Sequence, residues 1–332
     1  MKHLRNSEPN LITTKFLKMT YEIKNILVPT DFSETANNAL RVAVGMAIRQ
    51  HANVHLMHVV ESANIGITPD GYGLLGTLQM PDLDNAAGLL MKHQQHISVA
   101  NSGLSVKTVL DTGNVSNCIN KYVQENNINL VVMGTHGNSG VKDYFMGTNT
   151  YEVIKQAACP VLSIPASFDE VGFTSILYPV RNVEGVVEKY DYVKPIVEKN
   201  DASLHILGVS HEGEMEDLFL LSKKVTSVMD AIQHNKNYIT CEIINCRDIA
   251  QKILEVAEKR MDDLMIINAT LDKKWYQFFK GNFTQKIVNH SKIPVLSVKP
   301  ELTPELIKTV NQRFASEPNY FPLNLQPLLS DK

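Results

Sequence analysis

The stretch of this chain best equipped for chemistry is Gly134-Thr135-His136-Gly137, followed nine residues later by Gly147-Thr148-Asn149. Glycine tolerates positive φ and lets a backbone approach a ligand with no Cβ in the way. Gly147-Thr148 opens a helical pattern, Tyr151-Glu152-Val153-Ile154-Lys155. The first amides of a helix have no intrahelical partner and point toward an anion. Thr148 can cap that helix or donate its hydroxyl to a phosphate, Asn149 adds a neutral donor, and Lys142 is the one cation in the spacer. The chemistry these residues suit is the holding of a phosphate chain. The same spacing also fits a glycine turn and a capped helix that serve only the fold.

Asp31 is the second polar feature, set just beyond the apolar run Ile26-Leu27-Val28-Pro29. Its carboxylate can accept hydrogen bonds from an adenine amino group or a ribose hydroxyl, or it can cap the helix that follows. His136 has no Ser or Cys nucleophile with an orienting carboxylate at motif spacing, so it reads as a hydrogen-bonding neighbour rather than a general base. His55 and His58 lie three residues apart in a strand and fall on opposite faces, which excludes a metal pair. No G-x-x-x-x-G-K-[ST] loop is present, and no G-x-G-x-x-G follows the first strand. The turn there, Pro29-Thr30-Asp31-Phe32-Ser33, has no glycine pair, which argues against the ATP pyrophosphatases of similar layout.

These residues are spaced along an alternating pattern. Ile26–Pro29, Val54–Val60, Val106–Leu110, Leu130–Met133 and Val161–Ile164 are apolar enough to be buried strands. Helical patterns separate them, over the residues after Ser33 (with Ala36, Leu40, Ala43 and Ala47 on one face), 84–100, 115–126 and 149–158. Ser33 can cap the first helix, and Glu34 suits its first turn. Strands alternating with helices predict a parallel sheet covered on both faces and doubly wound. Ligands then bind at the carboxyl ends of the strands, where strands one and four carry Asp31 and Gly134.

The pattern occurs twice. Ile26-Leu27-Val28-Pro29-Thr30-Asp31 aligns with Ile176-Leu177-Tyr178-Pro179-Val180-Arg181 at a shift of 150. From about Gly113 the shift is 134, and Pro160-Val161-Leu162-Ser163 aligns with Pro294-Val295-Leu296-Ser297. The first copy therefore has a longer middle, within about 61–105, whose glycines and prolines suggest a loop or lid. A chain of 332 residues is the right length for two domains. The division expected is 1–18 as a disordered leader or mis-assigned start before Met19, 19–166 and 167–300 as the two copies, and 301–332 as a proline- and aromatic-bearing tail.

A net charge of -3 gives no general pull toward nucleic acid or anionic membranes. No apolar run is long enough to span a bilayer. The four cysteines form no C-x-x-C pair and are expected as buried or half-buried free thiols in a reducing cytoplasm.

Val28-Pro29-Thr30-Asp31-Phe32-Ser33-Glu34, the strand ending Met57-His58-Val59-Val60, Gly134-x-x-Gly137-x9-Gly147-Thr148 and the closing Cys159-Pro160-Val161-Leu162 together resemble the universal stress protein family, in a tandem two-domain form over roughly 22–300. The resemblance implies two five-stranded, Rossmann-like domains of the adenine nucleotide alpha hydrolase type, paired antiparallel through their fifth strands. It implies ATP binding, with Mg²⁺ able to accompany the phosphates although no carboxylate cluster fixes it. Pro29, Thr30, Asp31 and the backbone of Val59 fall at the adenine or ribose. Gly134, Gly137, Gly147, Thr148 and Asn149 fall at the phosphates and ribose, with Met133 and His136 adjacent and Gly113-Asn114 in a further loop beside the ribose.

The second copy departs from this set. Asp31, Gly113, Gly134 and Gly137 become Arg181, Arg247, Asn268 and Leu271, and of the glycines only Gly147 survives, as Gly281. One competent site, in the first copy, is therefore expected, and Arg181 with Arg247 leave an anion site open in the second. The leading expectation is a cytoplasmic, non-enzymatic stress or regulatory protein that binds an adenine nucleotide, with neither nucleic acid nor membrane as partner. The domains pair within the chain, a homodimer is left open and the protein partner is unassigned. The alternatives are a slow ATPase or nucleotidyl transferase, and a nucleotide-free interaction scaffold.

Overall fold

The computed structural model describes residues 21–61, 66–67, 74–75, 83–135, 147–183, 185–213, 215–232, 239–269 and 283–299. The expected leader and tail, residues 62–65, 68–73 and 76–82 of the long middle, His136, Gly137, Lys142, Leu271 and Gly281 lie outside the described residues.

The first half runs β1 (Asn25–Pro29), α1 (Glu34–Gln50), β2 (Asn53–Val60), the two-residue strands β3 (Gly66–Ile67) and β4 (Leu74–Leu75), α2 (Leu83–Ala100), β5 (Val106–Thr112), α3 (Val115–Glu125), β6 (Leu130–Gly134), α4 (Thr148–Gln156) and β7 (Val161–Ile164). The second half repeats it as β8 (Ser175–Val180), α5 (Lys189–Asn200), β9 (Ser203–His211), α6 (Met215–Ile232), β10 (Ile239–Cys246), α7 (Ile249–Arg260), β11 (Leu264–Asn268), α8 (Phe283–His290) and β12 (Val295–Val298). The middle expected as a loop or lid thus contains the antiparallel pair β3–β4 and the whole of a long helix, α2.

All the long strands join one sheet in the order β10-β9-β8-β11-β12-β7-β6-β1-β2-β5. Within each half the pairing is parallel. At the centre, β7 and β12 pair antiparallel, with Leu162 opposite Leu296 and Val161 opposite Ser297. The expected fifth-strand pairing is therefore present. It covers one edge of each half and leaves β5 and β10 as the outer edges of the joined sheet.

Strand alternation sends neighbours to opposite faces. Ile26 and Val28 face a core built with α1, α2, α5 and α6, whereas Leu27 faces one built with α3, α4, α7 and α8. Each core runs through both halves. Helices α1 and α3 begin where the sequence places a cap: the Ser33 hydroxyl accepts from the Ala36 amide at 3.1 Å, and the Asn114 side-chain Oδ1 from the Asn117 amide at 3.1 Å.

At the seam the Ser163 hydroxyl donates to the carbonyl of Val295 at 3.1 Å, and the Gln50 amide reaches the carbonyl of Pro195 at 2.8 Å. Because Leu162 is fully buried at this seam, Leu162→Ala is expected to lower the unfolding free energy by about 2–5 kcal/mol, as deep cavities do. A loss under about 1 kcal/mol in urea titration contradicts a well-packed seam.

Candidate functional site

In each half the strand order is 3-2-1-4-5, so the chain reverses direction across the sheet between its first and fourth strands. A crevice opens at that switch point because the connections leave toward opposite faces. In the first half the switch lies between β1 and β6, whose Ile26 and Leu27 pair with Leu130 and Val131. Asp31 and Gly134 are thereby brought to the same edge of adjacent strands.

The β1 side of the crevice is a tight turn. The Thr30 amide donates to Met57 at 2.8 Å, its hydroxyl oxygen accepts from the Phe32 amide at 3.0 Å, and its carbonyl accepts from His58 Nδ1–H at 2.7 Å. Thr30 is buried and fully engaged in shaping the turn. The Asp31 carboxylate accepts from the Ser33 amide at 3.0 Å, which tightens the turn before α1, while Ser33 rather than Asp31 caps that helix; Asp31 is half-buried at the strand end. Phe32 adopts φ 62°, and its ring centroid lies 4.6 Å from that of His58 and 5.8 Å from that of His93. A phenylalanine in the left-handed region is strained, and the bonds on either side of it hold the turn there. Sequence reasoning missed Phe32, His58 and His93 as wall residues. The absence of glycine in this turn was visible, but nothing in the pattern announces a non-glycine residue at positive φ.

On the β6 side, Gly134 is the last strand residue, in register with Ile164, and it does not take positive φ. Strand pairing holds it extended, so the conformational freedom of glycine is not used at this position. The Thr150 hydroxyl donates to the Gly134 carbonyl at 3.0 Å, and the Gly147 amide donates to the carbonyl of Thr135 at 2.8 Å. These bonds bring the start of α4 back to the end of β6. Gly147 is the N-cap residue and makes no side-chain cap bond. Thr148 is the first residue of the helix and exposed, so it is not the cap, and Asn149 follows it, half-buried. α1 and α3 close their N-termini with Ser33 and Asn114, whereas α4 begins without a side-chain cap. Among the described residues, a Cβ added at Gly147 would meet the Thr135 carbonyl, at 3.6 Å, and Thr150 Oγ1, at 4.0 Å.

The remaining predicted residues form the rim or the support. The Val59 side chain is buried, and the residue pairs with Asp111 across β2–β5. Gly113 takes φ +139°, where a side chain would be strained and its Cβ would lie 3.4 Å from Cys118 Sγ. The Gly113 amide ties to the Val60 carbonyl at 3.0 Å, and Asn114 is the α3 cap. The Met133 side chain packs in the core beside α3 and α4, and Pro29 ends β1. Among the described residues no group of three His, Cys, Asp or Glu residues can hold a metal. One cysteine departs from expectation: Cys241 is exposed on the outer strand β10.

The second-half crevice is filled by its own side chains. Lys189 stands where the first half has Ala39, and it is fully buried. Its amine donates to the carbonyl of Pro179 at 2.7 Å and of Ile266 at 3.3 Å, and lies 4.1 Å from the centre of the Tyr178 ring. It thus bridges β8 and β11 at their switch point. Asn268, in the place of Gly134, donates to the Gly185 carbonyl at 3.0 Å. The Arg181 guanidinium lies over the Phe283 ring at 3.6 Å, and Arg247 pairs with Glu212 at 2.9 Å. Each arginine is thus engaged by a different partner.

Residues 22–165 match the Universal stress protein family. The first half of this chain is a universal stress protein domain. It is 27% identical over 157 residues to Universal stress protein MJ0577 of Methanocaldococcus jannaschii, covering 44% of this chain and 97% of that one. It is 26% identical over 147 residues to Universal stress protein YxiE of Bacillus subtilis, covering 42% of this chain and 97% of that protein. The present chain is about twice the length of such a domain. Both halves superpose on a universal stress protein from Archaeoglobus fulgidus with a TM-score of 0.64 at 17% identity, over 84% of this chain and all of that one, a likeness of fold. No helix among the described residues is long and apolar enough to cross a membrane.

Burial, then the nearby Arg181, holds the Lys189 pKa well below 10.5. The unfolded chain therefore binds a proton at Lys189 up to about pH 10.4 that the folded chain does not, and stability rises with pH over that window by at most about 1.4 kcal/mol per unit. Lys189→Met removes this term. Denaturation of both proteins from pH 7 to 10 should move the difference steadily in favour of the wild type, and parallel curves contradict a neutral buried amine.

Proposed function

We propose that the chain binds ATP at one site, in the crevice between the ends of β1 and β6, as a cytoplasmic universal stress protein with a regulatory role and no dedicated catalysis. The observation that carries this reading is the start of α4. The helix begins at Gly147 without a side-chain cap, beside Gly134 and across the switch point from Asp31. Its first-turn amides, which have no intrahelical partner, suit phosphate oxygens, Thr148 and Asn149 add donors, and the Asp31 carboxylate suits a ribose hydroxyl or the adenine amino group. Mg²⁺, if it accompanies the phosphates, would rest on the phosphates themselves, since no carboxylate cluster of the described residues is placed for it.

The one-site proposal is supported by the second crevice, where Lys189 and Asn268 occupy the strand ends. The proposed division of labour is 19–166 as the nucleotide-binding domain and 167–300 as a degenerate copy. The free cysteines, including the exposed Cys241, suit a reducing compartment.

Calorimetry should give one ATP per chain. Gly134→Leu and Thr148→Leu should abolish binding, and Asp31→Ala should weaken it by about 1.5–3 kcal/mol, the scale of a charged hydrogen bond. Two ATP per chain, or unchanged affinity in these variants, refutes the assignment.

A further inference from the structure

Lys299 immediately follows β12, and the antiparallel register at the seam carries it past the start of β7, level with Cys159. Its amine donates to the carbonyl of Ala157 at 2.9 Å. Ala157 is the C-cap residue of α4, the helix whose other end begins at Gly147. The last carbonyls of a helix are orphan acceptors at the negative end of its dipole, and a cation there stabilises it. With nine residues, α4 is only about 13 Å long, so the two ends are close.

The brace is one-sided. At the shift of 134 the counterpart of α4 is α8 and the counterpart of Lys299 is Pro165, which has no side-chain donor. Both helices close with the same backbone bond, Ala157 amide to Val153 and Ser291 amide to Ile287, each at 2.8 Å, but at the end of α8 the added side-chain donor is its own, His290 Nδ1–H to Lys286 at 2.8 Å. An amine from the second half thus reaches the only one of these two helices that belongs to the half retaining the glycine signature.

We propose that Lys299 is a positioning residue for the nucleotide site, through which the second half steadies α4 and sets the affinity of the first half. The inference rests on the nucleotide reading above. Burial brings the Lys299 pKa down to about 8, while burial pushes the Cys159 thiol facing it up to about 12. Tyr21, also raised by burial, stays neutral, and Lys155 in the last turn of α4 pairs with Glu152 at 3.7 Å. The cation is therefore present below pH 8 and lost above it.

The test compares ATP binding by the full-length wild type, Lys299→Arg and Lys299→Met. At pH 7 the methionine variant should bind about three- to fivefold more weakly, and the arginine variant should match the wild type. From pH 7 to 9 the wild type should lose affinity relative to Lys299→Arg, which carries its charge throughout and shares any titration of ATP itself. Equal affinity of wild type and Lys299→Met, or identical pH profiles of wild type and Lys299→Arg, overturns the proposal. Amide exchange without nucleotide gives an independent readout: Tyr151–Gln156 should exchange faster in Lys299→Met while α8 is unaffected, and unchanged α4 exchange also overturns it. A wild type that takes up no ATP refutes the nucleotide site, and the exchange comparison then decides the brace by itself.

Discussion

The antiparallel pairing of β7 with β12 is the constraint on which the rest depends. Two parallel five-stranded units would each present their fifth strand as an open edge, with unpaired amides and carbonyls. Pairing those edges fuses the units into one ten-stranded sheet and lets both apolar cores run across it. It also fixes the register that places the residue after β12 beside the end of α4. The chain connection alone does not impose that proximity.

A duplicated scaffold presents the same crevice twice, and the two copies treat it differently. In the first, the strand ends carry a half-buried carboxylate and a helix start left without a side-chain cap. In the second, a lysine replaces Ala39 and a carboxamide replaces Gly134, and both bond to backbone carbonyls around the switch point. A long side chain that satisfies itself inside the fold removes the space and the polarity a ligand would need. The proposed division between a binding half and a supporting half rests on that difference.

Much of this was legible in the sequence because it rests on periodicity and on backbone demands. Buried parallel strands read as near-continuous apolar runs, so Leu130–Met133 and Val161–Ile164 stood out, and the shifts of 150 and 134 exposed the duplication. Ser33 announced its helix because capping is local chemistry. Interactions that depend on tertiary placement were hidden. Nothing near Phe32 marks a positive φ, and Lys189 looks like a surface residue until the fold directs it to two strand-end carbonyls. Lys299 reaches Ala157 across 142 residues of sequence. Gly134 stood out for the freedom glycine allows, yet its strand pairing with Ile164 leaves that freedom unused.

The central claim is that nucleotide binds in the first crevice and only there. The most direct measurement is photolabelling of the full-length protein with an azido-ATP analogue, followed by peptide mapping with excess ATP as competitor. The account predicts competable label on first-half peptides near Asp31 or Thr148 and none on the peptides bearing Lys189 or Asn268. Competable label in the second half, or no competable label at all, would contradict it.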